Sequence, residues 1–519
     1  MQNFRFNNLY EIVEHNFKSH PNKTIVYEED IRINNAKFKE YVDTVASFLI
    51  QLDIKPNNKV ALIMSNSWQY IVNIFAISKI GAVVVPVNSF FKADEIAYVL
   101  NDSKAELLFS SQKFAEETKN LISKTNIKKI VWVDGCPVEN EKNINYDSMI
   151  NQPLQLCSAH TSTTEDTAFI LYTSGTTGKP KGAELSFKNI LSNCAGGQKL
   201  MAVKDGQVKM LCYLPMFHAF TLTATVILPI YTNSGVIVIR SISNKSDFKK
   251  LLKQLLFQRC RYFAGVPDIY NAMSKAKLPW YFHWFHNVKG FISGAAPLSD
   301  EICNRFSASF KRGKLIQGYG ITECAPIVAC NSPKNNRFGS VGQALLDYQV
   351  KIFDENMQEL SIGAIGEICV KGDCVMKGYY NRPDDTKEVI VNGWFRTGDI
   401  GRMDEDGYIY IVDRKKDLII HKGMNIYPRE IEEVIYTNQN VNACAVVGVK
   451  DNDVGEIPIA YIELKEDMTT TEAEVKEYLK PHLATFKMPR RVYFIEKLPR
   501  NATGKILKRE LRELNTTQN

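Results

Sequence analysis

From about residue 24 to residue 350, short apolar runs alternate with stretches of helical periodicity, and this alternation restricts the chain to layered α/β architectures with mostly parallel sheets. The run "KVALIM" predicts a strand, "SWQYIVNIFAISKIGA" a helix and "VVVPV" a strand again. Further on, "VKGFISG" leads into a helical "PLSDEICNRFSASF", which "KLIQGYG" follows as a strand. After residue 350 the texture changes. "YQVKIFD", "GEICVKG" and "YIYIVDR" are closely spaced strand patterns divided by Gly, Asp and Asn turns, which predicts a small barrel or distorted sheet.

The charged run "DRKKD" at 413–417 interrupts that pattern, and a compact α+β segment follows. Within it "PREIEEVIYT" and "TEAEVKEYL" are helical, the latter opened by a capping box from Thr471 to Glu474. "NACAVVGV", "IPIAYIEL" and "RRVYFIE" are strand patterns, and the loop "LPRNATGK" precedes a short terminal helix. A chain of 519 residues exceeds what one core usually supports. We expect a large domain over 1–413, a hinge over 414–417 and a small domain over 418–519.

Bulk properties remove several function classes. A net charge of +7 is small for this length and suits an anionic small molecule or an acidic surface better than a nucleic acid. Eleven scattered cysteines without a CxxC pair argue against a disulfide framework or a zinc site, and predict reduced thiols in a cytoplasmic protein. The first residues, "MQNFRFNNLYEIVEHN", lack the basic-then-apolar order of a signal peptide. The most apolar long segment, "YIVNIFAISKIGAVVVPV", is broken by Asn73, Lys79 and Pro86 and reads as a buried helix running into a buried strand, not a membrane span. Peripheral contact at the inner membrane face stays open, as does the choice between monomer and homodimer.

Four stretches carry chemistry. "TSGTTGKPKG" (173–182) combines hydroxyls, glycines and lysines after a β-like run, a composition suited to phosphate oxygens. It is not a P-loop: Lys179 is followed by Pro180 instead of Ser or Thr, and the glycine spacing is wrong. "QGYGITECAP" places an aromatic face for a purine beside Thr322 and the carboxylate Glu323, which can hold Mg²⁺ against phosphates. "WFRTGDIG" offers Asp399 to the two hydroxyls of a ribose, and Arg414 adds a planar donor fork. "RNATGK" puts Lys505 on a loop tip in the second domain.

Taken in order, "YTSGTTGKPKG", "LPMFHAF", "SGAAPLS", "QGYGITE", "GEICVKG", "GYYNRPDDT", "WFRTGDIG", "GYIYIVDRKKDLIIHKGMNIYPREIE" and "PRNATGK" resemble the adenylate-forming superfamily over essentially the whole chain. That superfamily comprises acyl-CoA synthetases, peptide-synthetase adenylation domains and firefly luciferase. The resemblance implies a large N-terminal domain of two α/β layered subdomains plus a small distorted barrel, then a small mobile α+β domain. It also implies ATP, Mg²⁺ and CoA, with a carboxylic acid converted to acyl-AMP and then to a thioester.

Residue by residue, the resemblance assigns Thr173, Ser174, Gly175, Thr176, Thr177, Gly178 and Lys179 to a loop closing over the outer phosphates. Gly294, Ala295, Ala296, Gln317, Gly318, Tyr319 and Gly320 would form the nucleotide pocket, with Ala295, Ala296 and Tyr319 sandwiching adenine. Thr322 would contact the α-phosphate, Glu323 would hold Mg²⁺, and Asp399 and Arg414 would take the ribose. Lys505 would reach the carboxylate and α-phosphate during adenylation, Lys416 would be the pivot, and Lys422, Gly423 and Met424 would line the pantetheine tunnel after rotation. His218 would shape the carboxylate pocket, against the alternative of an ordinary core histidine.

Pro215, Met216 and Phe217 stand where an amino-acid-activating relative would carry an Asp, and Phe217 replaces the second His usual in luciferases. The apolar run "AFTLTATVILPIY" suits an alkyl tunnel and equally a helix core. The expected substrate is a medium- or long-chain fatty acid. An aryl or coumarate-type acid, and a fatty-acyl-AMP ligase loading a carrier protein, are the alternatives; "HKGMNIYP" keeps the loop expected for CoA use. A catalytically silent acyl or nucleotide sensor would have shed residues such as Thr322, Glu323 and Lys505, which are present.

Overall fold

The computed structural model describes residues 4–152, 157–173, 179–242, 244–276, 278–451, 453–501 and 504–516. Two large sheets form the body. In the eight-stranded sheet, Lys59–Ile63, Val83–Pro86, Ala105–Ser111, Lys129–Val133 and Asn143–Asn145 run parallel, and Thr167–Thr173 joins them in the same direction. Lys181–Ser186 then turns back antiparallel, and Gly378–Tyr379 pairs onto it at the edge.

The nine-stranded sheet has a parallel centre of Val236–Val238, Met210–Cys212, Tyr262–Gly265, Gly290–Ser293 and Lys314–Gly320. Thr24–Glu28 extends it in parallel, and antiparallel strands close both edges. The apolar runs that predicted these strands lack polar alternation because helices cover both faces of such sheets.

One helix ties the two sheets together. Trp68–Lys79 is buried at every position from Gln69 to Lys79, and it packs against Thr24–Glu28 of one sheet and Val83–Pro86 of the other. Ser67 caps it by accepting from the Tyr70 amide. Asn73 and Lys79 within it are paired, whereas Gln69 Oε1 and the Tyr70 and Ser78 hydroxyls are buried without a hydrogen-bond partner among the described residues. Asn73 accepts from the Tyr146 hydroxyl at 3.2 Å, and Lys79 donates to Asp43 at 2.8 Å, where Lys39 and Tyr10 also converge. A buried cation without such a carboxylate would cost several kcal/mol, roughly.

Beyond residue 345, Gln349–Phe353, Gly366–Lys371, Trp394–Met403, Ile390–Val391 and Ile409–Arg414 make a five-stranded antiparallel sheet. It is the distorted sheet expected there, bulged at Glu367/Cys369 and at Ile400/Gly401. After a 3₁₀ turn at Lys415–Asp417 comes a second five-stranded sheet, with Val441–Asp451 and Gly455–Leu464 as its long hairpin. Helices Pro428–Tyr436 and Glu472–Leu479 cover a core of Ile431, Ile435, Val446, Ile462 and Leu479. The predicted capping box is present: Thr471 accepts from the Glu474 amide while Glu474 accepts from the Thr471 amide. Among the described residues no helix is long and apolar enough to cross a membrane.

Candidate active site

The C-terminal ends of the parallel strands open onto a cavity of about 1450 Å³, where the two large sheets, the bulged sheet and the last loop meet. Open parallel sheets place ligands at that end because the loops there diverge. Lys314–Gly320 delivers Gln317, Gly318, Tyr319 and Gly320 to the wall, and the chain then turns through Thr322–Cys324 and returns as Ile327–Cys330. Gly320 is obligatory there, since a Cβ would lie 2.2 Å from the Pro326 carbonyl oxygen. Gly294, Ala295 and Ala296 follow Gly290–Ser293 on the same wall, with Ala295 in the left-handed region at φ 65°.

Polar groups converge on this wall. The Tyr319 hydroxyl donates to Asp399 at 2.6 Å, and Arg414 faces the other oxygen of the same carboxylate at 3.4 Å. Asp399 and Arg414 are cross-strand partners, so the bulged sheet itself fixes their separation. Glu323 is half-buried and accepts from the Tyr379 hydroxyl at 2.9 Å. Burial raises the Glu323 pKa; its own backbone contact, Tyr379 and Arg414 oppose the rise. Tyr379 reaches Glu323 because Gly378–Tyr379 pairs with Lys181–Ser186 at the edge of the eight-stranded sheet. Sequence reasoning missed Tyr379: a two-residue edge strand has no periodicity to read.

Lys505 comes to the same place from the small domain. Its pKa falls to about 7, chiefly through burial and next through Arg414, with Lys416 adding to the fall and Asp399 and Asp417 opposing it. Burial and the Lys505 charge together push His218 down to about 4, so the imidazole is neutral and near that lysine. The loop carrying Lys505 rests on the large domain: Arg500 pairs with Asp268 at 3.4 Å, and Gly504 packs over Asp268. At the turn, Arg512 donates to buried Asp417 at 2.6 Å, and Asp413 accepts from the Arg414 and Arg429 amides. Burial and then Arg414 lower the Lys416 pKa.

Ser174, Gly175, Thr176, Thr177 and Gly178 lie outside the described residues. Thr173, Pro180 and Lys181 line the cavity, whereas Lys179 is exposed with its ammonium 5.5 Å from the Tyr98 ring centroid. Lys422, Gly423 and Met424 sit exposed at the tip of the hairpin Ile419–His421/Met424–Ile426, away from the cavity wall.

Below His218 the cavity becomes apolar. Leu200, Met201, Met210, Phe220, Ala224 and Leu228 line it. Thr221–Ile227 is a π-helix, a widened turn frequent at functional sites. Phe220 packs against Gly294, where a Cβ would come within 3.3 Å of the ring.

Comparisons with known proteins place the chain in a family. The AMP-binding enzyme model matches residues 13–380, and the AMP-binding enzyme C-terminal domain model matches residues 430–505. A long-chain-fatty-acid–CoA ligase of Salmonella typhimurium is 32% identical, covering 98% of this chain and 95% of its own. The 4-coumarate–CoA ligase 1 of Petroselinum crispum is also 32% identical, with 90% and 86% covered. ATP-bound MatB from Rhodopseudomonas palustris superposes with a TM-score of 0.89 at 29% identity, covering 98% of this chain and 99% of that one. The apo form of the same protein gives 0.78 over the same coverage. With family models matching both halves and relatives of 32% identity over nearly its whole length, the chain belongs to the AMP-binding enzyme family, the adenylate-forming superfamily that its ordered motifs resemble.

Proposed function

We propose that the protein is an AMP-forming acid–CoA ligase acting on medium- or long-chain fatty acids. One observation carries the reading: a single cavity joins a cation- and donor-rich wall to an apolar compartment, with neutral His218 and Lys505 at the junction. A carboxylate seated there with its alkyl chain in the apolar part faces the α-phosphate of ATP. Its oxygen attacks phosphorus, the bond to the β-phosphate oxygen breaks, and pyrophosphate leaves with that electron pair. Lys505 and Thr322 offset charge on the α-phosphate oxygens as it builds, and Lys505 also bridges two anions that otherwise repel. Asp399, with Arg414 and Tyr319 already set around it, receives the ribose hydroxyls, and Ala295 and Ala296 border the base.

Glu323 is the residue that would hold Mg²⁺. Among the described residues no group of three metal-ligating side chains exists, so the ion would share Glu323 with substrate phosphates, as Mg²⁺ commonly does. When bound, it neutralises phosphate charge. In the second half-reaction the CoA sulfur attacks the acyl carbon and AMP departs. The exposed Lys422–Gly423–Met424 hairpin would reach the cavity only after the small domain turns about Lys416. We therefore read the present arrangement as the adenylation state, a reading supported by the better superposition on ATP-bound than on apo MatB.

The test is a panel of carboxylic acids from acetate to stearate plus aryl acids, with ATP, Mg²⁺ and CoA, read as acyl-CoA, AMP and pyrophosphate. Formation of ADP would refute the mechanism. The 32% identity to a 4-coumarate–CoA ligase, with Phe217 and Phe220 on the wall, supports aryl acids as the second reading.

A further inference from the structure

Lys505 sits in a loop that is tied together at its root. The Asn501 amide donates to the Lys505 carbonyl and the Gly504 amide to the Asn501 carbonyl, each at 2.9 Å. The Asn501 side chain accepts from the Lys505 amide at 2.9 Å as well. Arg500 and Ile506 pair across the base as an isolated antiparallel bridge. From the same root, Arg500 Nη1 donates to the Gly504 carbonyl at 3.0 Å, directly beside the lysine. Arg500 and Lys505 are thus joined into one piece, and whatever holds Arg500 also sets the place of the Lys505 ammonium.

What holds Arg500 belongs to the large domain. Its Nη1 reaches Asp268 Oδ2 at 3.4 Å, across 232 positions of sequence. Asp268 stands in the first turn of helix Pro267–Lys275, which follows strand Tyr262–Gly265 of the nine-stranded sheet. Residues 262–267, 269 and 270 are buried, and Asp268 alone in that stretch faces out, on the cavity rim. The backbone comes down on it closely. Gly504 holds φ 78°, and a Cβ there would lie 3.0 Å from Asp268 Oδ2 and 3.9 Å from Val266. Glycine at 504 lets the loop turn left-handed and settle against the carboxylate.

Electrostatics inside the cavity call for such a hold. Arg414 and Lys416 both act against the Lys505 charge, so in the empty site the loop is pushed outward. An ion pair at the root of the loop opposes that push without occupying the place of the substrate. An acid in the first turn of a helix also has an ordinary explanation, since it favours the positive end of the helix dipole. That explanation requires neither a cation of the other domain opposite the acid nor a glycine laid over it.

We infer that Asp268 is a positioning residue for the first half-reaction: the loop of Lys505 docks on it through Arg500 when the small domain is turned for adenylation. The inference rests on our reading of the present arrangement as the adenylation state. It adds a fixed point on the large domain, and it makes the Asp268–Arg500 pair a contact that must break before the small domain turns.

Exposed ion pairs are individually weak, worth up to about fivefold in an equilibrium, so charge reversal is the sharper variant. Asp268→Asn should slow ATP–pyrophosphate exchange with dodecanoate about three- to fivefold, and Asp268→Lys about 10-fold or more. Conversion of supplied dodecanoyl-AMP with CoA should be unchanged or faster in both. Arg500→Glu should also lower exchange, and adding Asp268→Lys to it should recover about fivefold, the signature of a direct pair. Trypsin gives a readout that needs no substrate. Cleavage after Arg414, Lys415 or Lys416 parts the two domains, and in Asp268→Lys it should come about fivefold faster while Tm holds. Wild-type exchange in Asp268→Lys, equal loss of both half-reactions with a lowered Tm, or no recovery in the double variant would each overturn the inference. Wild-type protein that exchanges pyrophosphate with no acid at all would instead refute the proposed function, and hinge cleavage alone then decides the docking.

Discussion

Replacing Lys505 by alanine tests the two-state reading of the small domain most directly. A fall of the Lys505 pKa from 10.5 to about 7 amounts to roughly 5 kcal/mol against the charged form in the empty site. Burial and Arg414 create that cost, and anionic phosphates arriving within reach of the ammonium offset it. The lysine is thus a cation whose charge is best tolerated when substrate is present. Removing one such donor to a developing anion costs roughly 3–4 kcal/mol, so Lys505→Ala should slow pyrophosphate release by roughly 100- to 1000-fold.

The assay separates the half-reactions: ATP–pyrophosphate exchange for the first, and conversion of supplied acyl-AMP with CoA for the second. The second should proceed near the wild-type rate, because in the proposed cycle the small domain turns and carries Lys505 out of the cavity. The pH dependence has a defined sign. Below about pH 7 the lysine of free enzyme is charged, and it loses its proton as pH rises through that value. Wild-type kcat/KM for ATP, measured at saturating Mg²⁺, should therefore fall above about pH 7, and Lys505→Ala should lack that limb. Equal loss of both half-reactions would refute the reasoning.

Gly423→Val should give the opposite pattern, since Gly423 holds φ 78° at an exposed hairpin tip: acyl-AMP forms normally while thioester formation from it falls. Glu323→Gln should raise the Mg²⁺ concentration needed for half-maximal adenylation by about 10-fold or more while leaving Tm within a few degrees, as a Mg²⁺ titration and a melting curve would show. Gly320→Ala forces a Cβ onto the Pro326 carbonyl, a backbone atom that cannot swing aside, and should lower stability by more than about 2 kcal/mol in urea unfolding. Tyr319→Phe leaves buried Asp399 short of one donor and should raise KM for ATP several-fold with little change in KM for the acid.

Where a segment is fully buried, its sequence announced it. Trp68–Lys79 and Val83–Pro86 appear where the apolar runs predicted them, and Thr471 with Glu474 forms the box their spacing implied. Asn73 and Lys79, which argued against a membrane span, prove to be satisfied core groups paired with Tyr146 and Asp43, residues far off in sequence. Long-range pairing is also why Tyr379 was not legible as the partner of Glu323, or Tyr319 as the donor to Asp399. The π-helix over Thr221–Ile227 was not predicted either: its run of Thr, Ala and Val suits an ordinary helix, and nothing in its periodicity marks the widened turn. Nothing in the sequence tells which rings of Trp280–Phe285 face outward; in the fold Phe282 is buried and Trp280, Tyr281, Trp284 and Phe285 are exposed.

The fully buried helix between the two large sheets has a mechanical consequence. Thr173 hangs from one sheet and Thr322 from the other, so any shear between the sheets would change the gap that a triphosphate must span. Trp68–Lys79 acts as a keyed shaft through both halves, locked at its end by the Lys79–Asp43 pair. On our reading of the cycle, the large domain holds its two walls in register while the proposed turn of the small domain falls to the short 3₁₀ segment Lys415–Asp417, the single turn of chain that joins the two sheets on either side.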